Sequence, residues 1–477
     1  MFKNKIFYWL TIISLSLCYV SCKVPGVIEP KHHVVLPAAY NNSEDTANIA
    51  RLKWRQFFTD PYLIALIDTA LHNNQELKIT LQELEIAKNE ARIKKSYLYP
   101  KVEAQIGGGI EKVGRYTNQG AGDASTEIVE GKEMPDPLGD VIVAATANWE
   151  VDIWKKIRNE KKAAINRYLA TVEGKNFVLS SLIAEVANNY YELLALDNQL
   201  DIIRQNIEIQ NNAFNIVKAQ KAAGKTTELA VQKFNAEVLN TKGLEFNVQQ
   251  QIVETENRIN LLLGRYVQHI PRVKDRFVTE VFDIASNGVP AQLLANRPDI
   301  LQAEKELEAA RLDVKAARAE FYPSLGISAG IGLQAFKPSY LFKVPESVLY
   351  SIAGDLAGPL INRAAIKAEF ANANAKQVQS LYNYERVILN AFVEVSNRLS
   401  AMSNLEKSYA LKTEQVDVLT KSIAISNELF KSARADYFEV LMTQRDALEA
   451  KLELIETRKK QLSMFVNVYE ALGGGWK

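Results

Sequence analysis

Apolar residues along this chain keep two rhythms, and the rhythms alternate in blocks. From Ser324, Leu325, Ile327, Ala329, Ile331 and Leu333 alternate with Ser, Gly, Ser, Gly and Gly, which is period two with one apolar and one small or polar face. Val348, Tyr350, Ile352 and Leu356 alternate in the same way against Ser347, Ser351 and Asp355. Earlier in the chain Val102, Ala104 and Ile106 alternate with Glu103 and Gln105, and Val141 to Trp149 reads as a returning strand. Between these blocks the period becomes helical. Ile300, Ala303, Leu307, Ala310, Val314, Ala317 and Phe321 are spaced three and four apart, and Leu77, Leu84, Ala87, Ala91 and Leu98 follow the same rule. Arg297-Pro298-Asp299 suits a helix start, with Pro in the first turn and an acid at the positive end of the dipole.

The longest helical stripe runs through Leu169, Val172, Leu179, Ile183, Val186, Tyr190, Leu193, Leu200, Ile203, Ile207, Phe214 and Val217. Apart from Gly174, breakers are missing between Lys156 and Ala222, so this predicts one helix roughly 100 Å long at about 1.5 Å per residue. Gly224 marks a turn, after which Val231, Phe234, Val238, Thr241, Val248, Ile252, Ile259 and Leu262 carry the stripe back. Ile388, Phe392, Val395, Leu399 and Met402 begin a second long helix. After a turn near Ala433-Arg434, Leu448, Leu452, Ile455, Leu462 and Tyr469 return. A period near 3.5 held this long favours left-handed supercoiling against neighbouring helices. Taken alone, the helical stripes also fit an ordinary helix bundle, and the strands also fit a soluble sandwich.

The blocks repeat. Glu-Leu-Glu-Ile-Ala-Lys at 83–88 corresponds to Glu-Leu-Glu-Ala-Ala-Arg at 306–311, and Tyr99-Pro100 to Tyr322-Pro323, at an offset of 223 (322 − 99). Downstream the offset falls to 209 (394 − 185): Glu185-Val186 matches Glu394-Val395, Asn188 matches Asn397, and Leu263-Gly264 matches Leu472-Gly473. The drop in offset, 223 − 209, marks an insertion in the first copy, placed in the polar stretch from Gly114 to Asp140. The organisation expected is a leader at 1–21, a tether at 22–59, a first repeat at 60–265, a linker at 266–284 and a second repeat at 285–477.

Composition narrows the class. A formal charge of +1 argues against a polyanion-binding surface, so no nucleic-acid partner is expected. No stretch after the N-terminus has about 20 apolar residues in a row, so any membrane span must be β-structure. Lys3 and Lys5 precede the apolar run from Ile6 to Leu17, an export signal that leads to Val20-Ser21-Cys22. A small residue before Cys, just after an apolar run, resembles the processing and lipidation site of bacterial lipoproteins, which makes Cys22 the candidate lipid anchor. The alternative is an ordinary signal peptide with an incidental Cys. Cys18 and Cys22 are the two cysteines, so the processed chain has no disulfide to make. The four histidines (His32, His33, His72 and His269) show no metal-ligand spacing, and Gly107-Gly108-Gly109 sits inside a strand rather than a phosphate-binding loop. Neither an enzyme nor a bound cofactor or metal is expected.

If the strands enter a bilayer, every backbone donor and acceptor must be paired, and the sheet must close. Four strands cannot close alone, since the smallest membrane barrels use about eight. An oligomer follows, without a choice between dimer and trimer.

Several runs then resemble one family. They are Trp149-Glu150-Val151-Asp152, Asn296-Arg297-Pro298-Asp299-Ile300, Ala303-Glu304, Ala317-Arg318-Ala319-Glu320-Phe321-Tyr322-Pro323-Ser324 and the ending Leu472-Gly473-Gly474-Gly475-Trp476. Together they resemble the TolC-like outer-membrane efflux proteins, in the lipoprotein branch called OprM-like or NodT-type. The resemblance implies a mostly α fold with a β membrane part: a homotrimer whose 12-stranded outer-membrane β-barrel, four strands per chain, continues into a long periplasmic α-helical coiled-coil barrel. It also implies a passive conduit in a tripartite pump, exporting drugs or other small amphiphiles. The partners would be a periplasmic adaptor (membrane fusion) protein, an inner-membrane transporter of the resistance-nodulation-division type and outer-membrane lipid. A type I protein-secretion conduit shares the fold, and a periplasmic coiled-coil lipoprotein without a pore is the alternative of another class.

The family also implies site residues. Its adaptor contacts fall at the turns, here Gly224, Lys225 and Thr226, and Ala433, Arg434 and Ala435. On residue type alone these are solvated helix corners. Its constriction falls at the start of the last long helix, where Phe438 fills the apolar position and Arg445 the basic one. Met442 stands where a carboxylate is expected, which points to a mainly apolar constriction that gates by dewetting. Ordinary coiled-coil packing is the alternative for Phe438 and Met442. Trp149, Trp154 and the basic run Lys155-Lys156-Ile157-Arg158 suit a membrane interface or a solvated helix start.

Overall fold

A computed structural model describes residues 26–27, 36–40, 49–280, 289–358, 363–432 and 434–477. The leader, Cys22 and Ala433 lie outside the described residues.

After a short helical turn at Trp54–Phe57 come α1 (Pro61–Asn73) and α2 (Gln75–Ser96). Strand β1 (Lys101–Glu111) follows, then α3 (Asn118–Ser125), a small hairpin of β2 (Glu127–Val129) and β3 (Lys132–Glu133), and β4 (Leu138–Val151). The first helical hairpin is α4 (Lys156–Ala222) and α5 (Glu228–Leu262). The pattern recurs as α6 (Pro298–Ala319), β5 (Ser324–Ala335), β6 (Val348–Ala357), α7 (Ala364–Lys431) and α8 (Tyr437–Ala471). Helices α5 and α8 start and stop at the downstream offset read from the sequence, 437 − 228 and 471 − 262, both 209. The connection between β1 and β4 spans residues 112–137, and that between β5 and β6 spans 336–347. The first exceeds the second by the same amount as the drop in offset, which places the insertion. It does not extend to Asp140, however. β4 starts at Leu138, because Asp140 occupies a polar-face position of the strand and its charge signals no loop.

Contacts divide the chain into two compact units. The first, built mainly from residues 86–168 and 306–381, holds the sheet. Its strands run antiparallel in the order β1-β4-β5-β6, so β1 and β6 are edges. The register pairs Ile106 with Val143, Val143 with Leu333, and Leu333 with Val348. Side chains alternate, so one face collects Val102, Ile106, Ile110, Val143, Ile331, Tyr350, Ile352 and Leu356. The opposite face collects Glu103, Gln105, Thr146, Asn148, Ser328 and Ser351. Beneath the sheet's helix-proximal end, Val314, Phe321 and Phe370 form a small core.

The second unit, residues 32–85, 169–305 and 382–477, holds the main core. Tyr190, Tyr191 and Leu193 of α4, Leu63 and Ile67 of α1, Ile259 of α5 and Leu462 of α8 are fully or nearly fully buried there. Asp60 caps α1 by accepting from the Tyr62 N–H at 2.8 Å, and it also accepts from the Tyr190 hydroxyl at 2.8 Å. No described helix is long and apolar enough to cross a membrane.

Candidate functional site

The sheet has an unusual distribution of exposure. Its apolar face is bare: Ile106 is 82% exposed and Ile352 81%, with Val102, Ile110, Ile331, Tyr350 and Leu356 also exposed. Leaving these seven side chains in water would forgo roughly 1.5–3 kcal/mol each, a sum on the scale of a whole domain's stability. Strands of 10 to 14 residues match the roughly 9–11 that a tilted strand needs to cross a bilayer. Aromatic side chains gather at one end. The Trp149 indole donates to the Leu98 carbonyl at 3.2 Å, and the Trp154 indole to the Pro323 carbonyl at 2.7 Å. Trp154 also stacks on Tyr322 with centroids 4.7 Å apart. Asp152 accepts from the Ile157 and Arg158 amides at 3.0 and 2.9 Å, capping the start of α4, with Lys155 between them at φ 61°. The basic run is therefore a helix start, with Trp149, Trp154 and Tyr322 close by.

In the same unit a cleft of about 380 Å³ is lined by charged side chains of α2, α4, α6 and α7. Lys94 pairs with Glu160 at 2.9 Å, and Arg167 pairs with Asp313. Burial raises the pKa of Glu320, a hydrogen bond with Glu369 raises it further, and Lys156 at 3.9 Å opposes both.

At the other group of predicted residues, the turn between α4 and α5 places Gly224 at φ 68°, a conformation that favours glycine. The Lys225 amide closes the turn on the Gln220 carbonyl at 2.9 Å. In the second turn the Arg434 amide donates to the Leu429 carbonyl at 2.8 Å. Lys225 and Arg434 are exposed, and Thr226 and Ala435 are half-buried. Below the turns Val217, Ala230, Val231, Phe234 and Val440 form a compact core, with Tyr437 and Leu441 packed against it. Asp436 caps α8 by accepting from the Phe438 and Glu439 amides at 2.7 and 3.1 Å. Phe438, on the face of α8 away from that core, is 46% exposed. Met442 is half-buried, and Arg445 has Asp446 as its ion-pair neighbour at 3.6 Å.

The offset of 209 that aligns α5 with α8 also aligns Leu229 with Phe438 and Lys233 with Met442. Sequence reading missed both partners, although that offset was the signal for finding them. Lys233 Nζ lies 5.5 Å from the Phe438 ring centroid.

Two of the sequence runs that suggested a family, Asn296 to Ile300 and Leu472 to Trp476, form one buried knot. Arg297 grips Asp299 through Nε and Nη2 at 3.0 and 2.8 Å, and its Nη1 donates to Glu394 at 2.7 Å and to the Ala471 carbonyl at 2.9 Å. Burial opposes its charge, but Asp299 and Glu394 more than restore it and hold the guanidinium protonated. Arg398 pairs with Glu394 at 2.5 Å and Glu470 at 3.5 Å. Gly473 and Gly475 sit at φ 91° and 103°, the Trp476 indole donates to the Asn296 carbonyl at 3.1 Å, and the Ser180 hydroxyl to the Gly474 carbonyl at 2.9 Å.

The profile of one family, outer membrane efflux protein, matches residues 66–265 and again residues 289–474. The chain belongs to the outer membrane efflux protein family. Among efflux relatives, it is 27% identical over 474 residues to the pyoverdine export outer membrane protein OpmQ of Pseudomonas aeruginosa, covering 98% of this chain and 97% of that one. It is 26% identical over 491 residues to the probable outer membrane lipoprotein SilC of Salmonella typhimurium, covering all of both. The fold matches the open state of the MtrE outer membrane channel of Neisseria gonorrhoeae with a TM-score of 0.82 at 22% identity, over 95% of this chain and 98% of that one. This efflux protein resides in the outer membrane and has the fold class expected from its sequence, mostly long helical hairpins together with a β membrane part.

Proposed function

We propose that three copies of this chain close a 12-stranded barrel and act as the passive outer-membrane conduit of a tripartite pump, exporting drugs or other small amphiphiles. The observation that carries this reading is the four-stranded sheet with one bare apolar face and two unpaired edges, β1 and β6. Lipid can cover the face, and only another copy's strand can satisfy the edges without water. Exposed heptad stripes support the same assembly: Leu239, Phe246 and Val253 on α5, and Leu411, Val418 and Ile425 on α7, are bare at every seventh position. Two quasi-equivalent helical hairpins per chain would give six around the axis.

In this reading Cys22 carries the lipid, residues 22–59 form the tether, and residues 60–265 and 285–477 are two copies of one unit joined by 266–284. The turns at Gly224, Lys225 and Thr226, and at Ala433, Arg434 and Ala435, meet the periplasmic adaptor, which couples to an inner-membrane resistance-nodulation-division transporter. Phe438 and Met442 narrow the conduit with apolar side chains, and Arg445 stands one turn above. Edge closure is tested by disulfide trapping. Gln105→Cys is combined in turn with Leu349→Cys, Ser351→Cys or Ala353→Cys, spanning the registers open to β1 and β6. A non-reducing ladder that stops at three chains is expected in one register. A ladder stopping at two, or monomer in every register, would overturn the trimer.

A further inference from the structure

Helices α5 and α8 are equivalent position by position. Each is capped at the position before its first residue, by Thr227 accepting from the Ala230 amide at 3.3 Å and by Asp436 accepting from the Phe438 amide at 2.7 Å. Val231 and Val440, related by the same offset (440 − 231), are buried in one small core. That shared packing fixes the rotation of both helices. Leu229 and Phe438 are accordingly both exposed in the first turn, and Lys233 and Met442 follow one turn later. The charge missing at Met442 is therefore present at its repeat mate, with the opposite sign from the carboxylate the family pattern places there.

We propose that Lys233 is the charged member of the constriction: its ammonium rides on the Phe438 ring and biases the narrowest section toward anions. This rests on the reading of Phe438 and Met442 as the constriction. Among the described residues no carboxylate lies within ion-pairing distance of Lys233, and its Nζ sits 5.5 Å from the ring centroid, within cation–π range. Of the nearby acids two are committed elsewhere, while Glu237, one turn further along α5, forms no ion pair with Lys233 among the described residues. Glu228 holds Lys221 at 2.5 Å, and Asp436 is spent on the helix cap. Glu439 adds one exposed negative charge in the first turn of α8, while Lys225 and Arg434 add positive charge at the turns. A ring held under an ammonium loses rotamer freedom, so the same contact that supplies the charge also positions the plug.

Two readouts on the intact oligomer test this. In planar bilayers under a KCl gradient, reversal potentials are compared for the parent protein, Lys233→Arg, Lys233→Met and Lys233→Glu. Relative to the parent, the chloride-to-potassium permeability ratio is expected to fall about threefold in the Met variant and further in the Glu variant, with the Arg variant little changed. A Glu variant with the parental ratio would overturn the charge role. Separately, 4-fluorophenylalanine placed at position 438 reports the ring by fluorine NMR, without any need for conduction. Its resonance should move in the Met variant and return close to the parental position in the Arg variant. One unchanged resonance in all variants would overturn the contact. Bilayers silent for every variant would count against the conduit itself, and the fluorine spectra would then decide the contact.

Discussion

Replacing Arg297 by Met keeps a long, flexible side chain and removes four hydrogen bonds at once, two to Asp299, one to Glu394 and one to the Ala471 carbonyl. Breaking a buried ion pair from one side typically costs about 3–5 kcal/mol, because the partners stay buried and uncompensated. Here the partners are partly sheltered from that fate. Asp299 and Glu394 keep 24% and 33% side-chain exposure, and Glu394 still has Arg398. The Ala471 carbonyl has no such relief, and an orphaned buried acceptor costs roughly 1–3 kcal/mol. The net loss should be about 3 kcal/mol, confined to the knot that joins the start of α6 to the end of α8. Converted at about 1.4 kcal/mol per tenfold, local opening becomes roughly a hundredfold more frequent. Amide hydrogen exchange reads this directly for residues 296–300 and 468–476, with the α5 amides as an internal control. Asp299→Asn, which keeps an acceptor for the guanidinium, should lose only about tenfold. A change below about fivefold in the Met variant would refute the view that Arg297 holds this junction.

Gly473→Ala should destabilise by about 3 kcal/mol, since φ is 91° and an added Cβ would meet the Asn296 carbonyl oxygen at 2.5 Å; Gly224→Ala, at φ 68° with nothing within 4 Å, should cost only about 1 kcal/mol. Thermal melting by circular dichroism compares the two, and equal losses would contradict the geometry. Glu320 binds its proton more tightly in the folded chain than in the unfolded one, so its contribution makes stability rise as pH falls through the raised value toward the ordinary carboxylate range. Glu320→Gln should flatten that part of the profile in urea titrations between neutral and mildly acidic pH. An unchanged slope would show that the Glu320–Glu369 contact has no such effect.

The helical hairpins were legible in the sequence because their packing is local and periodic. The stripe ending at Val217 and resuming at Val231 needs only a turn at Gly224, and the structure has one there. The strands were legible for the same reason, with one telling miss at Asp140. A membrane strand can carry charge on its polar face, so a lone acid does not mark its end. The knot was recognisable as a set of familiar runs, yet nothing in Asn296-Arg297-Pro298-Asp299 states that Arg297 reaches Glu394 and Ala471. Those contacts span sequence separations of 97 and 174 and exist only once the helices pack. Lys233 lay between these cases. Its identity as the mate of Met442 follows from the downstream offset, but its place on the Phe438 ring required the shared core of Val231 and Val440.

The central claim is that this sheet closes with other copies into a conducting pore narrowed at Phe438 and Met442. Single-channel recording in planar bilayers tests it most directly, with the purified oligomer and a Phe438→Ala, Met442→Ala variant measured side by side. Discrete ohmic steps are expected, with larger conductance or longer openings in the variant. Silent bilayers for both proteins, with insertion verified by protease protection of the strands, would contradict it.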